Sequence, residues 1–297
     1  MSIGKTLTFN CLRALARTIP PEPLANLLSA AAGFVASKAS RTPVLTKDEV
    51  TSIARFLSVH PPPPEQLERE ECLYQMDRMA ACWPELYREK RWSARCDFSH
   101  AQSLKNLSQE KGPFILVTLH YGPVFLLRYW LRELGLPVAG LVGEGTALRS
   151  PFRRLKDKAY GGDAPHVFSS QTDLRRTSSW LKDGGSLLVP IDIQEKKNIV
   201  FSNKDNFLKL ASGFHRWATK YKAPIIPVLI HTTAPFKWEI HSGTKFTTHI
   251  QSPESPEEYL ASIMNFFLPQ LAKTPEQIRR EFLDCIVDGN PKNPAPQ

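Results

Sequence analysis

Several signatures that announce a chemistry are missing from this chain. It has no phosphate-cradling G-x(4)-G-K-[ST], no dinucleotide-binding G-x-G-x-x-G and no nucleophile elbow G-x-S-x-G. Nothing therefore points to a P-loop, a dinucleotide fold or a serine hydrolase. Cysteine is sparse and odd in number: Cys11, Cys72, Cys82, Cys96 and Cys285, no two at metal-ligand or redox spacing. A reduced, cytoplasmic setting is expected from that usage. His60, His100, His166, His215, His231, His241 and His249 form no ligand cluster by spacing, so no metal is inferred. No apolar run reaches the roughly 18–20 residues of a membrane span. The nearest, Leu24 to Ala36, is interrupted by Asn26 and Ser29. The first twenty residues lack the continuous apolar core of a secretory signal.

Acidic residues are also in deficit, 29 against 38 lysines and arginines, which leaves a net charge of +9. Such a balance favours a polyanionic partner: an anionic membrane face, an acidic carrier protein, a phosphorylated cofactor or nucleic acid. The basic residues are not interleaved with aromatics as in single-strand binders, so nucleic acid is not expected. Ile3, Leu7, Cys11 and Leu15 recur at four-residue spacing, with Lys5, Arg13 and Arg17 off that stripe. Both an interfacial helix on an anionic membrane and a terminal helix packed on its own core have this pattern.

What is present is an ordinary globular composition, 42% hydrophobic and 23% charged. Residues 1–100 read as a helical region, broken at Pro20, Pro21, Pro23 and Pro61 to Pro64. Thr46 and Glu49 make a capping box for a helix to about His60, and helical spacing continues over 65–89. From residue 101 to 286 apolar strands and helices alternate. Strands are expected at 114–119, 137–142, 166–168, 186–191 and 224–231, and helices at 101–110, 124–134, 147–160, 171–183 and 207–222. That alternation predicts an α/β fold with a largely parallel central sheet flanked by helices. A hairpin over 236–241 and 245–250 and helices over 255–271 and 275–286 complete it, and 287–297 reads as a disordered tail.

Four stretches carry candidate chemistry. The segment FILVTLHYGPVF from Phe114 is a buried-type strand that ends at His120, ahead of a helix. A histidine at a strand's carboxyl end suits general-base work, and Gly122 would let a substrate approach the backbone. The alternative is a loop histidine held by hydrogen bonds. In the basic run Arg149, Arg153, Arg154, Lys156, Lys158, the four-apart Arg149 and Arg153 share a helix face that would hold a phosphate or a carrier's phosphopantetheine arm; the alternative is a solvated surface helix. Asp192 and Gln194 end the strand Val189-Pro-Ile-Asp-Ile-Gln, as site residues or as a loop cap. Pro224 to Ile230 reads as core strand.

The order of these blocks resembles the bacterial lipid A biosynthesis lauroyl/myristoyl acyltransferase family, within the lysophospholipid acyltransferase superfamily. The resemblance runs over about residues 5–285. It rests on His120-Tyr-Gly-Pro-Val-Phe125, RSPFRRLKDK from Arg149, Pro190-Ile-Asp192-Ile-Gln194, LASGFHRWATKYKAPIIPV from Leu210, and Pro275-Glu-Gln277. It implies transfer of an acyl group from an acyl-carrier-protein or coenzyme A thioester to a hydroxyl or amine, with no cofactor. His120 would be the base. Arg153 or Arg154 would hold the donor phosphate or steady the oxyanion. The setting would be the cytoplasm, with peripheral contact on the cytoplasmic face of an inner membrane. The family hallmark is His-x(4)-Asp/Glu, and here Phe125 stands at the acid's position. Three arrangements answer that departure. Another acid, Asp192 first and otherwise Glu144 or Glu195, reaches His120 in space; or His120 acts alone on an easier acceptor; or the chain keeps the fold as a non-catalytic lipid or acyl-carrier binding protein.

Overall fold

Alternating apolar strands and amphipathic helices bury their faces only by layering, and the computed structural model has that α/β arrangement. It describes residues 45–81, 90–107, 109–110, 112–136, 138–142, 167–169, 172–193, 198–203, 206–247 and 255–287, together with 14–15, 18–27 and 30. In chain order the elements are α1 (Lys47–Leu57), α2 (Pro64–Ala80), α3 (Lys90–Ser93), β1 (Cys96–Asp97), α4 (Gln102–Leu107), β2 (Ile115–Thr118) and α5 (Val124–Glu133). They continue with β3 (Val138–Val142), β4 (Val167–Ser169), α6 (Leu174–Lys182), β5 (Ser186–Pro190), β6 (Asn198–Asn203), β7 (Asn206–Ala211) and α7 (Gly213–Tyr221). The last are β8 (Ile225–Ala234), β9 (Lys237–Ser242), α8 (Pro256–Lys273), a 3-10 turn Pro275–Gln277, α9 (Arg280–Leu283) and β10 (Ile286–Val287).

Seven strands form one sheet in the order β1-β9-β8-β2-β5-β3-β4, parallel except at the β8/β9 pair. β2 is buried at all four positions because helices lie on both sides of it. Leu116, Leu188, Val138 and Ile226 face a core shared with α2, α4 and α5. Ile115, Val117, Leu187 and Val189 face the opposite core with α1, α6, α7 and α8. The helices before residue 100 thus join both cores of the sheet. β6, β7 and β10 make a small second sheet.

Local chemistry fixes the ends. The Thr46–Glu49 box caps α1, and Ser58 closes it in the left-handed conformation. A second box, Ser255 with Glu258, opens α8. Residues 207–211, expected as the start of a helix, are strand β7 instead. Leu208 and Leu210 are buried while Lys209 is exposed, a period of two that pairs with β6. The expected terminal hairpin is also placed differently. β9 turns back on β8 through Pro235 and Phe236, and Phe246 makes only an isolated bridge to Ile225. The helix expected over 275–286 is divided into the 3-10 turn, α9 and β10. Among the described residues no helix is long and apolar enough to cross a membrane. The expected helix at 147–160, the tail at 287–297 beyond Val287, and the stripe at Ile3, Leu7 and Cys11 lie outside the described residues.

Candidate active site

β2 and β5 are parallel neighbours, with Thr118 opposite Pro190. Two residues beyond each partner, at the same edge of the sheet, stand His120 and Asp192. Ile191 fixes the second of these: its N–H donates to the Thr118 carbonyl at 2.9 Å and its carbonyl accepts from Ala211 N–H at 2.8 Å. Asp192 is fully buried and uses both oxygens on one residue. His120 Nδ1 lies 3.0 Å from Oδ1, and the His120 backbone N–H donates to Oδ2 at 2.7 Å. A carboxylate accepts only, so the ring presents Nδ1–H to Asp192, and it is Nε2 that carries the lone pair when the ring is neutral. The His120 side chain remains 24% exposed, enough to meet a substrate.

Burial disfavours the charged imidazolium. The charge and hydrogen bond of Asp192 outweigh that, Glu281 adds to them, and the His120 pKa is raised to about 9. The same charge also raises Cys285. Burial, then the Asp192 charge, push its thiol up to about 12, so Cys285 stays a thiol and does not compete with His120 as nucleophile or base.

The loop after His120 is held by the segment that follows α8. Gly122 N–H donates to the Gln277 carbonyl at 2.8 Å, and Arg279 N–H donates to the His120 carbonyl at 3.0 Å. Tyr121 pairs with Ile278 in an antiparallel bridge, and its hydroxyl bonds Thr274 Oγ1. The Gln277 amide in turn clasps Thr232, accepting from its N–H at 3.0 Å and donating to its carbonyl at 2.7 Å. Gly122 has φ +51°, and a Cβ there would lie 2.4 Å from the Ile230 carbonyl oxygen. Its lack of a side chain therefore serves the approach of its own sheet.

Phe125 turns away from this polar group. It is partly buried against the α5 core and meets Tyr74 edge to face at 5.7 Å. Arg279 lies over the Tyr74 ring, 4.0 Å from its centroid, and its guanidinium donates to Glu70 at 2.8 Å. Burial raises Glu70 above the usual carboxylate range, against the opposing pull of Arg279. An acid at position 125 would thus be partly buried against the core beside Tyr74.

The structure brings His120 and Asp192 together. Arg149, Arg153, Arg154, Gln194, Glu144 and Glu195 lie outside the described residues. Gln277 and Arg279 have roles that sequence reasoning missed, although Pro275-Glu-Gln277 was singled out as a block. The histidines show no ligand spacing in the sequence, yet strand pairing gathers His100, His231 and His241 beside Glu239. No family model matches the chain, and no curated protein matches it in sequence.

Proposed function

We propose that this protein is an acyltransferase that moves an acyl group from a carrier-protein or coenzyme A thioester to a hydroxyl or amine. The observation that carries the reading is the contact of His120 with Asp192, 3.0 Å from Nδ1 to Oδ1 with a second bond from the His120 backbone. Asp192 supplies from β5 what the position of Phe125 does not. The resemblance to the lipid A acyltransferases, block by block along the sequence, supports the same chemistry.

In this mechanism His120 Nε2 removes the proton as the acceptor oxygen or nitrogen attacks the thioester carbonyl. The Asp192 carboxylate orients the ring and stabilises the imidazolium, as the acid does in a Ser-His-Asp triad. The tetrahedral intermediate expels the thiolate, which takes the proton from Nε2 and leaves as the thiol. No covalent enzyme intermediate is required. The basic run from Arg149 to Lys158 would receive the donor's phosphate. The net charge of +9 suits an acidic carrier or an anionic membrane face.

The test is release of free thiol from acyl-carrier and acyl-coenzyme A thioesters in the presence of a mixed pool of alcohols and amines. Acceptor-dependent release by wild type, lost in His120→Ala, is the expected outcome. Thioester binding without release would favour a non-catalytic carrier or lipid binding protein, and equal release by His120→Ala would remove the base.

A further inference from the structure

A second grouping of reactive side chains stands on the β8–β9 hairpin. His231 pairs across the strands with Glu239, and Leu229 with His241. Side chains alternate along a strand, so Glu239 and His241 share one face and His231 joins them. Trp238 and Ile240 point the other way, into the α5 core. β1 runs parallel to β9, and the chain then places His100, whose carbonyl accepts Ser242 N–H at 3.0 Å. The His100 ring stacks on His241 with centroids 4.7 Å apart, and the His231 ring lies 4.9 Å from His241.

One carboxylate oxygen is the focus of the group. Glu239 Oε2 is 3.2 Å from His231 Nε2 and 3.5 Å from His241 Nε2. The ligand atoms of His100, Glu239 and His241 all fall within 4.8 Å of one another. Donors set about 2.0–2.2 Å from a tetrahedral ion are about 3.3–3.5 Å apart, close to the two short separations. His241 Nε2 is buried and has no hydrogen-bond partner.

We infer that His100, Glu239 and His241, with His231 as the fourth ligand, form a binding site for a first-row divalent metal ion of the zinc class. Three imidazoles and a carboxylate are a donor set suited to such an ion. His231 completes the set from the facing strand, its Nε2 3.2 Å from Glu239 Oε2. Lys273 places positive charge near His231 and sets an electrostatic limit on the affinity. Four protein ligands make the site a closed, structural one that ties the hairpin to the loop after β1. His231 follows Ile230, against which Gly122 packs, so the ion would also brace the backbone beneath the His120 loop.

The experiment is calorimetric titration of chelator-treated full-length protein with zinc chloride, paired with diethylpyrocarbonate labelling of the same samples. Wild type is expected to bind one equivalent, gain thermal stability and lose labelling at His100 once zinc is present. His241→Gln and Glu239→Gln are each expected to weaken binding at least about tenfold, whereas His215→Gln binds as wild type. Absence of one-equivalent binding to folded wild type overturns the site, with no variant needed. So does zinc binding that is equal in wild type and a His231→Gln/His241→Gln double variant, or that leaves His100 labelled as before.

Discussion

Replacing Asp192 with asparagine separates the two things the carboxylate does for His120. Asn keeps the size and can still accept from the His120 backbone N–H, but it removes the charge that opposes burial. With Asp192 present the His120 pKa is about 9, so only about 1% of the ring is neutral at pH 7. A base must be neutral to act. The wild-type rate kcat/KM should therefore rise about tenfold per pH unit and level off above pH 9. In Asp192→Asn burial is left without its main counterweight, and the His120 pKa should fall below 6.5. The plateau then begins in the neutral range. Its height should drop by about 10⁴-fold, the loss seen when a triad loses its acid, worth about 5.5 kcal/mol of barrier. The two effects oppose one another at pH 7, where the variant is almost fully neutral. The deficit there should be only about 10²-fold, and it should widen with every unit up to pH 9. The assay is the initial rate of thiol release at subsaturating acceptor between pH 6 and 10. A variant with an unshifted inflection, or a deficit that does not change with pH, would refute the role given to Asp192.

Other expectations concern the frame around the site. Gly122→Ala forces a Cβ against the Ile230 carbonyl and a side chain into φ +51°, and should destabilise the protein by about 2–4 kcal/mol in denaturant unfolding. Phe125→Glu puts an acid five residues after His120 but buries it beside Tyr74; about 2 kcal/mol of stability should be lost and no rate gained. Gln277→Ala removes both bonds to Thr232 and should cost about 2–3 kcal/mol, read as a lower thermal midpoint. His120 has a folded pKa raised above its unfolded value, so its ion pair stabilises fully below pH 6.5 and is lost as pH rises through 9. Wild type should therefore lose on the order of 3 kcal/mol more than His120→Gln across that window, measured by urea denaturation.

The fold was legible where one pattern dominated. β2, β5 and β8 are short apolar runs followed by helix or loop signals, and their burial on both faces makes them nearly continuous in hydrophobicity. The capping box at Thr46 announced α1 for a local reason, since its two bonds join residues three apart. β7 was misread because Phe207, Leu208, Leu210 and Ala211 run directly into α7, and apolar residues at both periods coexist there. Only the antiparallel partner β6 decides in favour of a strand. The pairing of His120 with Asp192 was accessible as a choice among acids, because both follow strands in a parallel sheet. Which strands are neighbours is not written locally, and the register of Thr118 with Pro190 is what turns 72 residues of separation into 3.0 Å. The histidines near Glu239 show the same limit more sharply. Their spacing carries no motif, and two strand pairings and one backbone hydrogen bond assemble them.

The most direct test of the proposed reaction is mass spectrometry of the acceptor pool after incubation with an acyl-carrier thioester. Wild type should add one acyl mass to a hydroxyl or amine acceptor, with the protein itself unmodified, and His120→Ala should leave the pool unchanged. An acylated product formed equally by His120→Ala, or none formed by wild type from either class of thioester donor, would contradict acyl transfer by His120.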